Sequence, residues 1–398
     1  MKHTVSISFL IILFLTISCL SGKERKDVEE KILIEELDIR QLSEYNLFSY
    51  KRPIDNCRFV VLETTDESLI KEIEKVYIND DLIFIKDTND NLFLFNMFGQ
   101  FLNKIGSIGQ GVEELLSFYD FYVNEKNEYV GIFDILRNRI LRFSFEGKFI
   151  SKHSCTKEMN ESHNFLGLID NDLLIGMRNN KDNKYAFITV NENDYSLENN
   201  FFPFSIVGRV SSTPLRSISS HSSNGLYVTN YFSDTIFEFS ANKVPDPILI
   251  VKSDLKTASS NILSDINSID LESVFEANAI LRRKGFSTGI NNLYATDSFL
   301  KINYPLSDYQ STDIFYCIKT GKAYKSVTNR RDFFGQSWRS ALTTTDKEIV
   351  YAIEAETVIE LKNKSDLFVD EKVIETIKNV DEYDNPILVF FSSGYKTD

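Results

Sequence analysis

The sequence predicts an all-β protein, a six-bladed β-propeller with one short helical insertion. Three observations support this fold class. The 398 residues include 32 Phe and 18 Tyr but only 7 Pro, and aromatic residues favour half-buried pleated surfaces. A pattern of short strands and polar turns recurs along the chain, and one helix-like segment interrupts it.

The recurring pattern is an apolar strand, a short turn with Asp or Asn, and an alternating strand. It is clearest in Leu82–Ile105, Tyr129–His153 and Leu226–Lys243, and weaker copies occupy Leu173–Asn191, Phe299–Tyr324 and Glu348–Asn363. The inner strands of the six copies are expected to begin near residues 82, 129, 172, 226, 299 and 349. Repeats of about 40 to 50 residues built from short strands are typical of a propeller with one blade per repeat. A β-sandwich is the alternative, but the same strand order recurring at one offset favours the propeller.

Two glycines mark equivalent turns in the first two copies. Gly99 and Gly147 are 48 residues apart, and a tight hairpin needs a residue that adopts positive φ without steric cost. The polar turns TNDN, LRN and FSD are expected to use Asn and Asp side chains as acceptors for nearby backbone N–H groups. Ring closure usually places both chain ends in one blade, and we expect Cys57–Glu63 and Asn385–Ser392 to share it.

The longest interval between copies contains the predicted helix, in an insertion at about 262–285. Asp270–Gly285 has helical spacing of its apolar residues, with Asn278 as the polar exception. Asp270 is expected to cap the N-terminus, and Gly285 to end the helix after three basic residues. We expect this helix to plug or cover one end of the ring; a part in a ligand or partner site is the alternative.

The N-terminus predicts an exported lipoprotein. Lys2 and His3 precede an apolar run, Thr4–Ile17, which is shorter than the roughly 20 residues of a membrane span and has the length of a signal-peptide core. The segment TISC ends at Cys19 and resembles a lipobox, in which the cysteine receives the lipid. An ordinary signal peptide or an uncleaved anchor is the alternative.

The predicted organisation is therefore a lipoprotein signal peptide (1–18), a tether or linker (19–50) and a propeller (51–398). We expect a lipid-anchored protein of the cell envelope, at the outer membrane and facing the periplasm or the cell surface.

Charge and residue counts argue against several functions. The formal net charge of −14 argues against a nucleic-acid partner, which needs a basic face. Cys57, Cys155 and Cys317 form no C-x-x-C motif, so we expect small buried side chains and at most one disulfide. The histidines lack metal-binding spacing, which argues against metal or histidine catalysis.

The segment Val60–Gly111, with its LETTDESLI, D-x-x-x-N and GSIGQG motifs, resembles the opening blade of six-bladed β-propeller lipoproteins of Bacteroides-type bacteria, which are related to NHL-repeat propellers. YFSDTIFEFS (Tyr231–Ser240) and DNPILVFF (Asp384–Phe391) are similar to further segments of that family. The resemblance implies a lipid-anchored envelope propeller and implies no activity. One departure is that Val112 and Glu113 stand where the family pattern commonly continues to Pro-Gly-Glu.

The glycines of KIGSIGQGVEE (Lys104–Glu114) invite comparison with a nucleotide-binding loop. Such a loop needs a third glycine, a following helix and a βαβ unit, whereas Val112 and two glutamates follow Gly111. The sequence therefore predicts a connector between the first two blades.

Candidate ligand-facing residues surround the single Trp. Trp338, Arg339, Arg330 and Arg331 could face a funnel, since aromatic platforms and Arg forks suit carbohydrate or acidic ligands. The alternative is a Trp that packs between blades, with surface arginines. The sequence contains no set of residues that predicts catalysis.

We therefore expect a non-catalytic binding or scaffold module for a glycan, peptide or protein partner, without a cofactor. One alternative is a hydrolase- or lactonase-like propeller with an axial calcium ion on hard oxygen ligands. A sensor or signalling accessory protein is the other.

Overall fold

The computed structural model describes residues 34–44, 57–179, 183–204, 220–222, 225–230, 232–240, 244–267, 274–306, 311–326, 341–363 and 371–392. In these residues, six small sheets are arranged in a ring, so the predicted six-bladed β-propeller is confirmed. Two strands precede the first complete blade, β1 (Glu35–Asp38) and β2 (Cys57–Val61).

Blades 1 to 5 are each built from four consecutive antiparallel strands. Blade 1 contains β3 (Ile73–Ile78), β4 (Leu82–Asp87), β5 (Leu92–Asn96) and β6 (Phe101–Lys104). Blade 2 contains β7 (Asp120–Asn124), β8 (Tyr129–Asp134), β9 (Arg139–Ser144) and β10 (Phe149–Ser154). Blade 3 contains β11 (Ser162–Ile169), β12 (Asp172–Met177), β13 (Tyr185–Asn191) and β14 (Leu197–Pro203).

Blade 4 contains β15 (Ser220–Ser222), β16 (Gly225–Thr229), β17 (Thr235–Phe239) and β18 (Pro245–Lys252). Blade 5 contains β19 (Asn292–Ala295), β20 (Phe299–Pro305), β21 (Ser311–Cys317) and β22 (Ala323–Ser326). Blade 6 contains β23 (Thr343–Thr344), β24 (Ile349–Ile353) and β25 (Ile387–Phe391), followed in the sheet by β2.

The repeats were placed correctly, but their first strands are not the innermost ones. Leu82, Tyr129, Asp172, Gly225, Phe299 and Ile349 each begin the second strand of a blade. The innermost strands β3, β7, β11, β15, β19 and β23 precede them and differ too much in length and sequence to show as a repeat. The predicted turns at Gly99 and Gly147 are confirmed, with φ of 82° and 80°.

Ring closure joins an early strand to the last strand of the chain in one blade, as predicted. β2 pairs antiparallel with β25, with Cys57 opposite Phe391 and Val61 opposite Ile387. The N-terminal part thus supplies the outermost strand of blade 6, and the C-terminal part supplies the other three.

Residues 34–44 lie in the region predicted to be a linker, but they form part of the propeller. β1 pairs in parallel with β18 and adds a fifth strand to blade 4. Leu37 and Ile39 are buried in the core shared by blades 4 and 5. Glu44 forms an isolated parallel β-bridge with Lys325 of β22, in blade 5. We call residues 34–44 the strap. Sequence reasoning missed it because its strand has only four residues, EELD, which are mostly charged and match none of the repeats.

An apolar core fills each seam between successive blades. Phe84 and Leu94 of blade 1 share one core with Ile132 of blade 2, and Phe93 shares another with Phe390 of blade 6. Both faces of each blade are therefore buried, which explains why strands such as LIFI are apolar without alternation. Each buried Phe or Leu stabilises the fold by about 1.5–3 kcal/mol.

The predicted helical insertion contains two helices, α1 (Ser260–Asn267) and α2 (Val274–Arg283). They share a small core that includes Leu263, Leu281 and Phe232 of blade 4. The predicted end at Gly285 is confirmed. Its φ is 76°, and Phe286 N–H donates to the carbonyl of Leu281 as in a Schellman motif. The predicted cap Asp270 lies outside the described residues.

A second helical insertion was not predicted. The segment Glu348–Asn363 was expected to hold two strands, but only β24 forms, and α3 (Ala355–Asn363) and α4 (Glu371–Thr376) follow it. Ala355, Val358 and Ile377 pack against Ile387 of blade 6. The apolar spacing of ETVIEL fits a strand or one helical turn, and packing against the blade favours the helix.

The connections between strands differ strongly between the two faces of the ring. At the short-turn face, first strands join second strands and third strands join fourth strands, through two to five residues. At the long-loop face lie both helical insertions and the connections between blades. The antiparallel order of each blade determines which connections lie at which face.

Candidate functional site

Lys75 lies on the innermost strand of blade 1 and reaches the innermost strands of two further blades. Its ammonium is 2.7 Å from Asp120 Oδ1, 2.8 Å from the carbonyl oxygen of Phe121 and 2.9 Å from that of Phe165. Asp120 also accepts the backbone N–H of Phe165 at 2.6 Å. Because an ammonium has three N–H donors, Lys75 is fully occupied and ties blades 1, 2 and 3 together at the channel.

A cavity of about 160 Å³ lies beside this ion pair, between the innermost strands of blades 1, 2 and 3. Tyr77, Asn124 and Asn171 line it, and Glu125 and Asp170 stand on its turns at the short-turn face. The Tyr77 hydroxyl donates to Glu125 at 2.7 Å. A cavity of this volume accommodates a group about the size of benzene, so it suits one side chain or a small polar molecule.

Behind the cavity, a buried polar network joins blades 2 and 3. The ring of Tyr122 lies over Gly131, where a Cβ would come within 2.2 Å of it. The Tyr122 hydroxyl is 2.6 Å from the Tyr195 hydroxyl and 3.0 Å from the Glu192 carboxylate. Asn124 donates to the same carboxylate at 3.1 Å. Glycine at position 131 is thus what allows Tyr122 to cross to blade 3.

Arg142 completes this network, and burial keeps its phenols protonated. Its Nε donates to the Tyr195 hydroxyl at 3.0 Å, and its guanidinium is 3.7 Å from Glu192. Burial raises the pKa of Glu192 and outweighs the hydrogen bonds from Asn124 and Tyr122, which lower it. Burial also raises the pKa of both tyrosines. The phenols therefore keep their protons and act as fixed hydrogen-bond partners that hold the cavity wall.

The inner turns of the short-turn face, which join first to second strands around the channel mouth, are strongly acidic. Their described residues carry eight carboxylates and two lysines. The carboxylates are Asp80, Asp81, Glu125, Glu128, Asp170, Asp297, Asp346 and Glu348, and the lysines are Lys126 and Lys347. Glu348 is paired with Arg58 at 2.9 Å. The described residues of the outer turns, which join third to fourth strands, carry three carboxylates and three lysines: Glu146, Glu192 and Asp194, and Lys148, Lys319 and Lys322.

The glycine-rich loop connects blades 1 and 2, as predicted, and its own carboxylate fills it. Glu114 Oε2 accepts the N–H of Gly111 at 2.7 Å and lies 2.0 Å from where a Cβ on Gly109 would stand. Arg137 and Arg139 donate to carbonyl groups of the same loop. The loop is therefore closed around Glu114, which explains why a phosphate-binding motif is incomplete here.

Trp338, Arg339, Arg330, Arg331 and Cys19 all lie outside the described residues. Sequence reasoning missed Lys75 and Asp120, although charged residues interrupt the apolar and aromatic pattern of their strands, IEKVYI and DFYVN. That exception to the strand pattern was the available signal.

The three described cysteines are free thiols, and no disulfide joins them. Cys317 is buried as expected, whereas Cys57 and Cys155 are only partly buried. Burial raises the pKa of Cys155 to about 12 and also raises that of Cys57. These thiols are therefore poor nucleophiles at neutral pH.

Two further observations concern the described part of the chain. It holds no group of three His, Cys, Asp or Glu side chains placed to bind a metal ion. None of its helices has the length and apolarity needed to cross a membrane.

Comparison with solved structures supports the fold. A Bacteroides fragilis protein described as exported superposes with a TM-score of 0.71 at 18% identity, covering 90% of this chain and 99% of that one. A member of the DUF4221 family from Bacteroides vulgatus has a TM-score of 0.49 at 10% identity, covering 85% and 98%. At 18% identity the first likeness concerns the fold alone, and no argument rests on the second, whose TM-score is below 0.5.

Comparison of sequences gives the family. No curated protein shows significant similarity to the chain. A family model described as a domain of unknown function, DUF4934, matches residues 34–392, which begin with the strap and end just after β25. The chain therefore belongs to the DUF4934 family.

Proposed function

We propose that this protein is a non-catalytic binding module of the cell envelope, tethered to a membrane by a lipid on Cys19. The observation that carries the proposal is the position of the Lys75 ammonium among oxygens of three blades, at 2.7, 2.8 and 2.9 Å. Lys75 and Asp120 satisfy each other, and an open cavity lies beside them, with Glu125, Lys126 and Asp170 in its lining. Such a rigid, preorganised mouth suits binding of a partner.

The same observation weighs against the axial-calcium alternative at this position. Calcium requires several oxygen ligands at about 2.3–2.6 Å, and here Asp120 and two carbonyl groups are bound to an ammonium. A metal ion would have to displace Lys75 and break its ion pair. Lys75 thus fulfils the structural role that an ion would have between the blades.

The anchor part of the proposal rests on the apolar run Thr4–Ile17 and the TISC segment that ends at Cys19. It is tested by metabolic labelling with an alkyne fatty acid and by fractionation of cells. Cys19→Ala is expected to lose the label and to leave the membrane fraction. Cys155→Ala is the matched control and should keep both properties; membrane retention of the Cys19→Ala protein would refute the anchor.

The absence of catalysis and of a structural metal ion is tested on the purified protein from residue 34 onwards. Its melting temperature is expected to be the same with and without EDTA, because an ammonium rather than a metal ion joins the blades. A fall with EDTA that calcium reverses would favour the metal-dependent alternative. Turnover of any substrate at enzymatic rates would overturn the non-catalytic function itself.

A further inference from the structure

We propose that the long-loop face of blades 1 and 2 is a docking surface for a basic amphipathic helix of a partner protein. This inference rests on the proposed binding function and adds a second surface, away from the cavity beside Lys75. The surface consists of four exposed aliphatic side chains, which we call the apolar patch: Ile108, Val112, Leu116 and Leu136. The first three lie on the glycine-rich loop, and Leu136 lies on the turn between β8 and β9.

The first argument is the exposure of these side chains. They are between 41% and 69% exposed, and they are four of the thirteen exposed large hydrophobic side chains in the described part of the chain. Single exposed apolar residues are normal, whereas a contiguous apolar group on a surface is typical of an interaction site. Covering the patch with a partner would remove apolar area from water, which is favourable.

The second argument is that hydrogen bonds join the two segments into one rigid surface. Arg137 and Arg139 both donate to the carbonyl of Glu114, at 3.1 and 2.6 Å. Arg139 also donates to the carbonyl of Val112 at 3.1 Å. Because Leu136 precedes Arg137 in the chain, its turn is held against the part of the loop that carries Val112.

Further contacts fix the other two members of the patch. Ile108 pairs with Leu115 in a parallel β-bridge, so it lies close to Leu116. The N–H of Leu116 donates to Asp134 Oδ2 at 3.2 Å. The patch is thus ordered before a partner arrives, which reduces the entropy lost on binding.

The size of the patch argues for a helix rather than a second copy of the chain. A stable dimer buries about 800 Å² on each partner, which is more than four partly exposed aliphatic side chains supply. An amphipathic helix covers a small apolar surface with its residues at i, i+3, i+4 and i+7. The net charge of −14 also opposes self-association.

Charge at the patch favours a basic helix. Glu113 is exposed on the same loop and has no partner among the described residues. Arg137 and Arg139 are engaged by the loop carbonyls, and Lys104, at the end of β6, lies 4.8 Å from the centre of the Phe93 ring. A Lys or Arg beside the apolar face of a helix would complement Glu113. Membrane-binding segments combine basic residues with Trp or Phe, which the patch lacks, so a lipid surface suits it less.

The test is fluorescence anisotropy at physiological salt with the protein from residue 34 onwards, which contains all six blades. The probe is a labelled peptide of Leu and Lys with all leucines on one helical face. The control peptide has the same composition, with its leucines spread around the helix. The variant Val112→Ser/Leu136→Ser removes half of the patch and keeps the carbonyl groups that bind the arginines. The matched control, Leu197→Ser/Val244→Ser, removes an exposed Leu and an exposed Val near the short-turn face.

Binding of the one-faced peptide, weakened about tenfold or more by the patch variant and less than about twofold by the control variant, would support the site. Glu113→Gln should weaken binding about twofold, and Glu198→Gln, which removes an exposed charge from β14, should not. Absence of binding, equal binding of the control peptide or equal weakening by both double variants would overturn the site.

Sedimentation equilibrium of the protein alone and flotation with phosphatidylcholine–phosphatidylglycerol vesicles test the other two occupants. We expect a monomer that does not float. A dimer or a flotation that the patch variant abolishes would overturn the helix and assign the patch to a second copy or to lipid.

Mass spectrometry of the peptide after titration separates this inference from the proposed function. An intact peptide that fails to bind refutes the helix site and leaves the channel mouth as the binding surface. A cleaved peptide refutes the non-catalytic function.

Discussion

At the scale of single residues, the channel depends on a few polar side chains that satisfy one another across blades. Lys75 contacts blades 2 and 3, and Tyr122 of blade 2 contacts Glu192 and Tyr195 of blade 3. Buried polar groups stabilise a fold only when all partners are present, and removal of one partner is costly. Substitution of these side chains should therefore lower the free energy of unfolding by more than their buried surface area suggests.

Lys75→Met should destabilise the propeller by about 2 kcal/mol or more, because it leaves Asp120 without its cation in the channel. Urea unfolding measures this change. Lys152→Met, on the exposed outer strand of blade 2, is the control and should change the free energy by less than about 0.5 kcal/mol. Adding Asp120→Asn to Lys75→Met should recover part of the loss; strict additivity would show that the two side chains are not coupled.

The raised pKa of Glu192 predicts a pH-dependent effect of its substitution. The groups that face it are Tyr122, Asn124, Arg142 and Tyr195. Because burial raises its folded-state pKa above the unfolded value, the folded state favours the protonated acid. The wild type therefore loses stability relative to Glu192→Gln as pH rises from about 4 through the folded pKa.

Urea unfolding at pH 4, 5.5 and 7 checks this dependence. The free-energy difference between Glu192→Gln and wild type should move in favour of Gln as pH rises. The exposed Glu125→Gln is the control and should show little change. A difference for Glu192→Gln that is constant with pH would contradict the burial argument.

At the scale of secondary-structure elements, the strap shows how a short segment with little sequence signal gains its structure from packing. Its backbone pairs with β18, and Leu37 and Ile39 are 7% and 3% exposed in the core of blades 4 and 5. Glu36 and Lys252 add an ion pair at 2.5 Å on the surface. Exposed pairs contribute at most about 1 kcal/mol, so the apolar residues hold the strap.

Ile39→Ala should therefore destabilise the protein by about 2–4 kcal/mol, as expected for a buried Ile. Glu36→Gln, in the same strap but outside the core, should cost less than about 1 kcal/mol. Urea unfolding of the protein from residue 34 onwards measures both changes in the free energy of unfolding. An Ile39→Ala protein as stable as wild type would show that the strap is not docked.

How far the sequence predicted these elements depended on repetition. The second, third and fourth strands of blades 1 and 2 share a pattern, so the repeats Leu82–Ile105 and Tyr129–His153 were recognised. The innermost strands line the channel, where each blade has different neighbours, so their sequences do not repeat. Two of them are also very short: β15 has three residues and β23 only two. The segment ETVIEL became a helix because packing on blade 6 overrides its weak local preference.

The candidate site was harder to predict than the fold. Its residues lie on β3, β7 and β11 and on their turns, so they come from three repeats and are brought together only by the ring. No spacing in one segment can reveal such a set. Trp338 and the neighbouring arginines remain a prediction.

At the scale of the whole molecule, ring closure couples all blades. β2 supplies the last strand of blade 6, and its residues Phe59 and Val60 are buried there. Without β2, the edge of β25 and part of two apolar cores would be exposed to water. The apolar cores between blades form a closed ring, so loss of packing in one of them destabilises the other blades as well.

A protein that begins at residue 64 should therefore fail to fold cooperatively, whereas one that begins at residue 34 should unfold in a single transition. Near-ultraviolet circular dichroism and size-exclusion chromatography distinguish the two outcomes. Adding a synthetic peptide of residues 57–63 is expected to restore part of the fold. A compact, cooperatively folded protein from residue 64 onwards would show that closure is dispensable.

The strap also determines which strands would bear a mechanical force applied to the N-terminal side of the propeller. It joins the propeller at the outer edge of blade 4, away from the channel. A force applied at the N-terminal side of β1 would therefore load its parallel pairing with β18 and would leave the innermost strands unloaded at first.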